Sequence, residues 1–141
     1  MANLDFLITV GRPDFKDYKV LTDGLLKYHA QKGHPRRAEE INIFIKDKYK
    51  KVVGGIIITI LWNGMEINSL WVEEKLRGQS FGRKLVETAE KEAKIRGCTI
   101  AYTNTFTWQA PGFYEKMGYK QFGKLENFPP GNKLTYFYKK L

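Results

Sequence analysis

The chain has 141 residues, a net charge of +9 and hydrophobic residues at 43% of its positions, which is typical of one domain with a real core. Its longest apolar run, residues 52–61, is interrupted by glycines and is too short to cross a bilayer. The single cysteine, Cys98, excludes an internal disulfide, and no neighbouring His or Cys suggests a metal site. We therefore expect one domain over residues 1–141, without metal, signal peptide or membrane span, in a reducing cytoplasm.

The predicted elements begin with a short strand and a long helix. Residues 6–10 are an apolar strand candidate, which the Gly11-Arg12-Pro13 segment breaks. Residues 15–31 follow a helical pattern, because apolar side chains recur there every three to four residues. These side chains are Tyr18, Leu21, Leu25 and Tyr28.

Three strands follow in the predicted order. Residues 41–45 alternate apolar and polar side chains, and residues 51–62 form a long β-branched strand. Asn63-Gly64 then predicts a type I′ hairpin turn, because both turn positions need a positive φ. In the next strand, residues 65–72, the apolar period of two slips by one residue between Ile67 and Leu70. This slip predicts a β-bulge at Asn68-Ser69, a feature that often lies beside active sites.

The second half of the chain alternates helices and strands. A strongly amphipathic helix is predicted at residues 81–97, where Gly97 can take the left-handed cap. A strand at 99–105 and a short helix at 108–117 follow, with Thr105 or Thr107 as its cap. Strands at 119–122 and 134–138 complete a mixed α/β domain of about seven strands and three helices.

A polar loop joins the strand at 65–72 to the amphipathic helix, and it reads Arg77-Gly78-Gln79-Ser80-Phe81-Gly82-Arg83. The first N–H groups of a helix have no partner within the helix and point outward at the positive end of its dipole. Glycines let the backbone approach a phosphate closely, and the two arginines add positive charge. The segment therefore predicts an anion site.

Residues 70–85 resemble the acetyl-CoA-binding motif of the GNAT N-acetyltransferase family, Arg/Gln-x-x-Gly-x-Gly/Ala after an aliphatic strand. Ser80 departs from the usual glycine, and a serine keeps the turn if its φ is negative. A second segment, Ala110-x-x-x-Tyr114-x-x-x-Gly118-Tyr119, resembles the family's Ala-x-x-x-Tyr-x-x-x-Gly-Phe/Tyr pattern. Two motifs in the right order, about 30 residues apart, are more specific than either alone.

The resemblance implies a mixed, mostly antiparallel sheet of about seven strands with three to four helices and splayed central strands. It also implies acetyl-CoA as co-substrate, with strand backbone pairing to the pantetheine arm and the loop holding the pyrophosphate. The cofactor-binding residues on this basis are Leu70, Trp71, Val72, Arg77, Gly78, Gln79, Ser80, Phe81, Gly82, Arg83 and Asn104.

The implied reaction moves an acetyl group to a primary amine, favouring a small molecule, by direct attack in a ternary complex. Tyr114 corresponds to the tyrosine that protonates the departing thiolate in many relatives, and otherwise it is an aromatic core residue. Glu66 is the nearest carboxylate to the position that several relatives use as a base, whereas others use a water chain. Asn68 is a further polar candidate, and a backbone N–H near Trp71 or Val72 could stabilise an oxyanion.

Other functions remain open from the sequence. The basic charge would suit a nucleic-acid-binding domain, although residues 136–140 are the only stretch that interleaves aromatic and basic side chains. A protein that binds acyl-CoA without turnover is a second alternative. The acceptor pocket could include His29, His34, Trp62, Trp108 and residues 127–132, and the resemblance allows a homodimer but no membrane partner.

Overall fold

A computed structural model describes residues 5–12 and 14–141. The chain forms two compact units, one within residues 1–36 and one formed by Arg37–Leu141. The helices are α1 (Phe15–Gln31), α2 (Phe81–Ile95) and α3 (Pro111–Lys116), with a short 3-10 helix at Glu74–Leu76. The strands are β1 (Ala38–Lys46), β2 (Val52–Leu61), β3 (Gly64–Val72), β4 (Ile100–Phe106), β5 (Lys120–Glu126) and β6 (Lys133–Lys140).

The first unit consists mainly of α1, which has the predicted bounds. Asp14 caps it, because its side chain accepts a hydrogen bond from the backbone N–H of Lys16 at 2.9 Å. The strand predicted at residues 6–10 is wrong: these residues form no strand, and their apolar side chains are largely exposed. A short apolar run becomes a strand only where a neighbouring strand pairs with it. Pro13, expected to break that strand, lies outside the described residues.

The second unit is built on one sheet with the strand order β1-β2-β3-β4-β6-β5. The pair β3–β4 is parallel, and the other neighbours are antiparallel. The predicted fold class, a mixed and mostly antiparallel sheet with helices, is confirmed. Within the described residues the sheet has six strands instead of about seven, because residues 6–10 do not join it.

Two predicted boundaries are shifted. The β2–β3 hairpin forms, but its loop is Trp62-Asn63, and Leu61 pairs with Gly64. Trp62 takes the left-handed conformation, with φ at +52°, so the turn lies one residue before the predicted one. The helix predicted at residues 108–117 begins only at Pro111, whose fixed φ suits the first helical position.

The core lies between the sheet and α2. Ile56, Ile58 and Ile60 on β2 are fully buried, whereas the residues between them are half-buried. The apolar face of α2, which includes Val86 and Ala89, packs against these side chains. Because alternate side chains of a strand point to the same face of the sheet, this pattern of burial places the α2-facing side of β2 in the core.

A buried ionic group lies at the edge of this core. Glu90 on α2 is 7% exposed, and its carboxylate accepts hydrogen bonds from Lys139 Nζ at 2.9 and 3.1 Å. The hydroxyl of Tyr119 donates to the same carboxylate at 3.2 Å. A buried charge needs such partners, so this group joins α2 to the β5–β6 side of the sheet.

None of the described helices is long and apolar enough to span a membrane.

Candidate active site

A cleft opens where β3 and β4 stop pairing. Their register covers three positions, from Gly64 opposite Ile100 to Glu66 opposite Tyr102. The hydroxyl of Thr103 then donates to the carbonyl of Ile67 at 3.1 Å, and no further β3–β4 pairing follows. The cleft has a volume of about 220 Å³ and is lined by Ile67, Asn68, Ser69, Leu70, Thr103, Asn104, Thr105, Gln109, Ala110 and Tyr114.

The predicted bulge forms one wall of this cleft. Ile57 pairs with Ser69 and Ile58 pairs with Ile67, which leaves Asn68 as the extra residue of β3. The Asn68 side-chain oxygen accepts a hydrogen bond from the hydroxyl of Thr59 at 2.7 Å. The bulge therefore bends β3 at the point where the β3 edge that faces β4 no longer pairs with it.

Tyr114 forms the opposite wall and is also part of the core. It is 5% exposed and makes edge-to-face contacts with Phe113 and Tyr119 at centroid distances of 5.2 and 5.6 Å. Burial raises the pKa of the Tyr114 phenol, and a hydrogen bond with the Thr103 side chain offsets part of that rise. The phenol therefore keeps its proton at neutral pH.

Two polar residues complete the cleft: Gln109, which the sequence analysis did not single out, and Thr105, which it named only as a possible helix cap. The Gln109 side-chain oxygen accepts from the backbone N–H of Phe106 at 2.8 Å and from the Thr105 hydroxyl at 3.4 Å. The Thr105 hydroxyl oxygen also accepts from the N–H of Ala110 at 3.1 Å, which fixes the entry into α3. No sequence signal marks this wall, because the alternation of Thr103 and Thr105 along β4 normally indicates a solvent-exposed face.

The predicted anion loop lies between β3 and α2. The Arg77 Nε–H donates to the carbonyl of Val72 at 3.0 Å, which ties the loop to the end of β3. Ser80 is the N-cap residue of α2, with φ at +66° and no capping bond from its side chain. The condition stated for Ser80, a negative φ, is therefore not met: the residue takes the left-handed conformation that favours glycine.

The loop suits a phosphate for reasons visible in the chain itself. The first turn of α2 holds no acidic residue that would compete for its N–H groups. Arg83 and Lys84 follow directly and are exposed, as is Gly78, which has φ at +76°. At Gly82, an added Cβ would reach 3.4 Å from the ring of Phe113, so the backbone is already close to its neighbour there.

Among the predicted site residues, Asn68, Leu70, Asn104 and Tyr114 line the cleft, whereas Glu66, Trp71, Val72 and residues 77–83 lie outside its lining. Glu66 is half-buried at the last paired position of β3, where the hydroxyl of Tyr102 donates to its carboxylate at 3.4 Å. Burial, followed by the nearby Glu66 charge, raises the pKa of the Tyr102 phenol. Trp71 is half-exposed and borders a shallow depression beside the loop, together with Glu73 and Arg77.

Comparison with known proteins identifies this arrangement. Residues 39–121 match the family model for the acetyltransferase (GNAT) domain. An acetyltransferase of Agrobacterium fabrum is 30% identical over 127 residues, which cover 90% of this chain and 93% of that protein.

Solved structures agree with this match. An acetyltransferase from Bacillus cereus, 27% identical, superposes with a TM-score of 0.85 over 95% of this chain and 98% of its own. A Bacillus anthracis protein described as a streptothricin acetyltransferase, crystallised with acetyl coenzyme A, shares the fold at 22% identity. Its TM-score is 0.64, over 72% of this chain and 62% of its own. The chain therefore belongs to the GNAT family and is an N-acetyltransferase.

Proposed function

We propose that the protein moves the acetyl group of acetyl-CoA to a primary amine of a small molecule, by direct attack in a ternary complex. The observation that carries this proposal is the cleft between β3 and β4, which has the bulge on one wall and Tyr114 on the other. Its volume of about 220 Å³ lies below the roughly 300–1,000 Å³ of pockets for drug-sized ligands, which favours small reacting groups.

The cofactor would be held by two neighbouring parts of the chain. The backbone of Leu70, Trp71 and Val72 offers a strand edge to the pantetheine arm, since β4 does not pair with it there. Asn104 lines the same cleft from β4. The seven loop residues 77–83 would hold the pyrophosphate through the N-terminus of α2 and two arginines. Bound there, acetyl-CoA supplies the activated acetyl thioester that the amine attacks.

We assign Tyr114 as the general acid. Its raised pKa keeps the phenol protonated at neutral pH, so it has a proton to give to a departing thiolate. Glu66 is our candidate base, acting from the closed end of the cleft. Because its carboxylate does not line the cleft, we expect water to carry the proton between amine and carboxylate.

The remaining partners and the location are also proposals. A homodimer would use the apolar stripe of α1, in which Tyr18, Leu21, Leu25 and Tyr28 recur every three to four residues. The lone Cys98 is 5% exposed and unpaired with another cysteine, which suits the reducing cytoplasm.

Calorimetric titration with acetyl-CoA and with acetyl-pantetheine, which lacks the pyrophosphate, tests the cofactor site beside an amine-acetylation assay. We expect acetyl-CoA to bind more tightly than the truncated thioester, and at least one small amine to be acetylated. Binding without turnover on a broad amine panel would favour an acyl-CoA-binding protein. Salt-sensitive binding to DNA or RNA, with no acetyl-CoA binding, would favour the nucleic-acid alternative.

Tyr114→Phe tests the general acid within the same assay. We expect turnover to fall on the order of a hundredfold with acetyl-CoA affinity unchanged, because the ring remains and only the proton donor is lost. The matched control is Tyr136→Phe, which removes a phenol outside the cleft lining and should leave turnover unchanged. Wild-type turnover in the Tyr114 variant would remove that residue from the mechanism.

A further inference from the structure

Three aromatic rings cluster beside the cleft. The rings of Phe106 and Trp108 are stacked, with centroids 4.9 Å apart and planes 3° from parallel. The ring of Phe128, from the β5–β6 loop, lies 5.8 Å from Phe106. Trp108 is nevertheless 61% exposed and Phe128 is 50% exposed, so much of this aromatic platform faces solvent. Both rings lie against Phe106, so the three form an exposed apolar patch, and such a patch is a candidate binding surface.

The platform is tied to the cleft by hydrogen bonds. Phe106 follows Thr105 and Trp108 precedes Gln109, and both of these neighbours line the cleft. The backbone N–H of Phe106 donates to the Gln109 side chain at 2.8 Å. The platform is therefore connected to the cleft lining through neighbouring residues and this hydrogen bond.

A second set of bonds fixes the loop that carries Phe128. The Thr107 N–H donates to the carbonyl of Lys133 at 3.0 Å, and the Lys133 N–H donates to the Thr107 hydroxyl at 2.8 Å. Within the loop, the Asn127 side chain accepts from the N–H of Gly131 at 3.0 Å. The rings are thus presented by an ordered support, which lowers the entropic cost of binding a ligand.

The chemistry of the platform points to a neutral, flat group. Residues 104–110 and residues 127–132 contain no charged side chain, although the chain has 24 Lys and Arg and 15 Asp and Glu. A polycationic acceptor would need carboxylates on this surface, and an anionic one would need Lys or Arg. An exposed indole offers a large flat face, on which a ring stacks with little loss of side-chain freedom.

We propose that Trp108 and Phe128 bind an aromatic or heteroaromatic ring of the acceptor, so that the preferred substrates are primary amines with such a ring on a short linker. This inference rests on the proposed function and specifies its substrate class. The ring stacks on the outer face of Trp108, which already stacks on Phe106, and the amine extends toward the cleft.

Three amines of matched length test the proposal: 2-phenylethylamine, 2-cyclohexylethylamine and 1,5-diaminopentane. With the wild-type protein we expect kcat/KM to be highest for the phenyl compound. In Trp108→Ala, the KM of that compound should rise on the order of tenfold with kcat nearly unchanged, and the other two should be unaffected. Trp108→Phe should recover most of the affinity. Tyr49→Ala, which removes an exposed ring in the β1–β2 turn, is the matched control and should change nothing.

Two readouts separate this inference from the proposed function. Equal kcat/KM for the three amines, or an unchanged KM in Trp108→Ala, would overturn the platform while the transferase stands. If no amine is acetylated, binding of 2-phenylethylamine in the presence of CoA is measured by calorimetry. Binding that Trp108→Ala abolishes would keep the platform and reject the proposed transfer to such amines, whereas no binding would overturn both.

Discussion

Ser80 has a backbone conformation that residues with a side chain adopt only at a cost. Its φ of +66° and ψ of 14° lie in the left-handed region, where Cβ approaches the following carbonyl and costs about 1–2 kcal/mol. The Ser80 side chain makes no capping bond that would offset this cost. The strain lies at the entrance of α2, where backbone N–H groups would meet a phosphate.

We therefore expect Ser80→Gly to raise the free energy of unfolding by up to about 1 kcal/mol, because glycine removes the Cβ clash while adding some freedom to the unfolded chain. Acetyl-CoA affinity should be equal or higher. Urea denaturation and calorimetry measure the two effects. Gly78→Ala, at φ +76°, is the reverse control and should lower stability by a similar amount. A destabilised Ser80→Gly variant would show that the hydroxyl makes a contact of its own.

At this scale the sequence predicts motif residues better than their conformation. The loop residues follow from their order along the chain, but nothing local shows that Ser80 rather than a glycine has a positive φ. Thr105 was missed as a cleft residue because alternate polar residues in a strand normally indicate a solvent-exposed face, and Gln109 was missed because it lies in the turn after β4. Both line the cleft only because β4 leaves β3, which is a tertiary event.

Among the elements, α2 depends on a charge partner that its own sequence does not supply. A period of four along the helix predicts that Glu90 pairs with Lys94, yet Glu90 is buried and contacts Lys139 and Tyr119 instead. Burial, followed by the charge and hydrogen bond of Glu90, raises the pKa of Tyr119 far above the ordinary value. The network thus links α2 to β6 and to the residue before β5.

The raised pKa of Tyr119 lowers the free energy of unfolding in alkaline solution. Above a pH of about 10 the unfolded chain loses the Tyr119 proton while the folded chain keeps it, so unfolding becomes easier as pH rises. Tyr119→Phe should cost about 1–2 kcal/mol at neutral pH through the lost bond to a charged acceptor.

The same variant should lose less stability than the wild type between pH 9 and about 11, as urea denaturation at each pH would measure. Tyr49→Phe, at an exposed tyrosine, is the control and should follow the wild-type profile. Parallel pH profiles for wild type and Tyr119→Phe would exclude Tyr119 as a source of the alkaline loss.

Elements with internal periodicity were predicted well, and elements that depend on a partner were not. Residues 15–31 and the helix that begins at Phe81 were predicted from spacing alone, and both are found. Residues 6–10 have an apolar composition suitable for a strand, but a strand needs hydrogen bonds from a neighbour that composition does not provide. The Trp62-Asn63 loop was missed by one residue because Asn-Gly is only a statistical preference.

For the whole molecule, the surface that we assign to the proposed homodimer is the apolar stripe of α1, which contains Tyr18, Leu21, Leu25 and Tyr28. Burying such side chains would contribute about 25 cal/mol for each Å² of apolar surface removed from water. The homodimer in our proposal would bury this face against a second copy.

We expect the wild-type protein to elute as a dimer in size-exclusion chromatography with light scattering. Leu21→Glu together with Leu25→Glu should shift it to a monomer, because two charges would have to be buried in the interface. Lys27→Glu, on the opposite side of α1, changes charge without touching that face and should leave the dimer intact. A monomeric wild type at tens of micromolar would contradict the proposal.

The short register between β3 and β4 divides the sheet into two three-stranded plates that share three residue pairs. Along the free inner edges of β3 and β4, alternate amides point into the cleft, where they exchange their hydrogens with solvent. A ligand that inserts as an extra strand would slow exchange at every second residue of these edges. A ligand that only contacts the cleft surface would leave no such alternation. The pattern of hydrogen–deuterium exchange along the two edges therefore distinguishes strand insertion from surface binding without an activity assay.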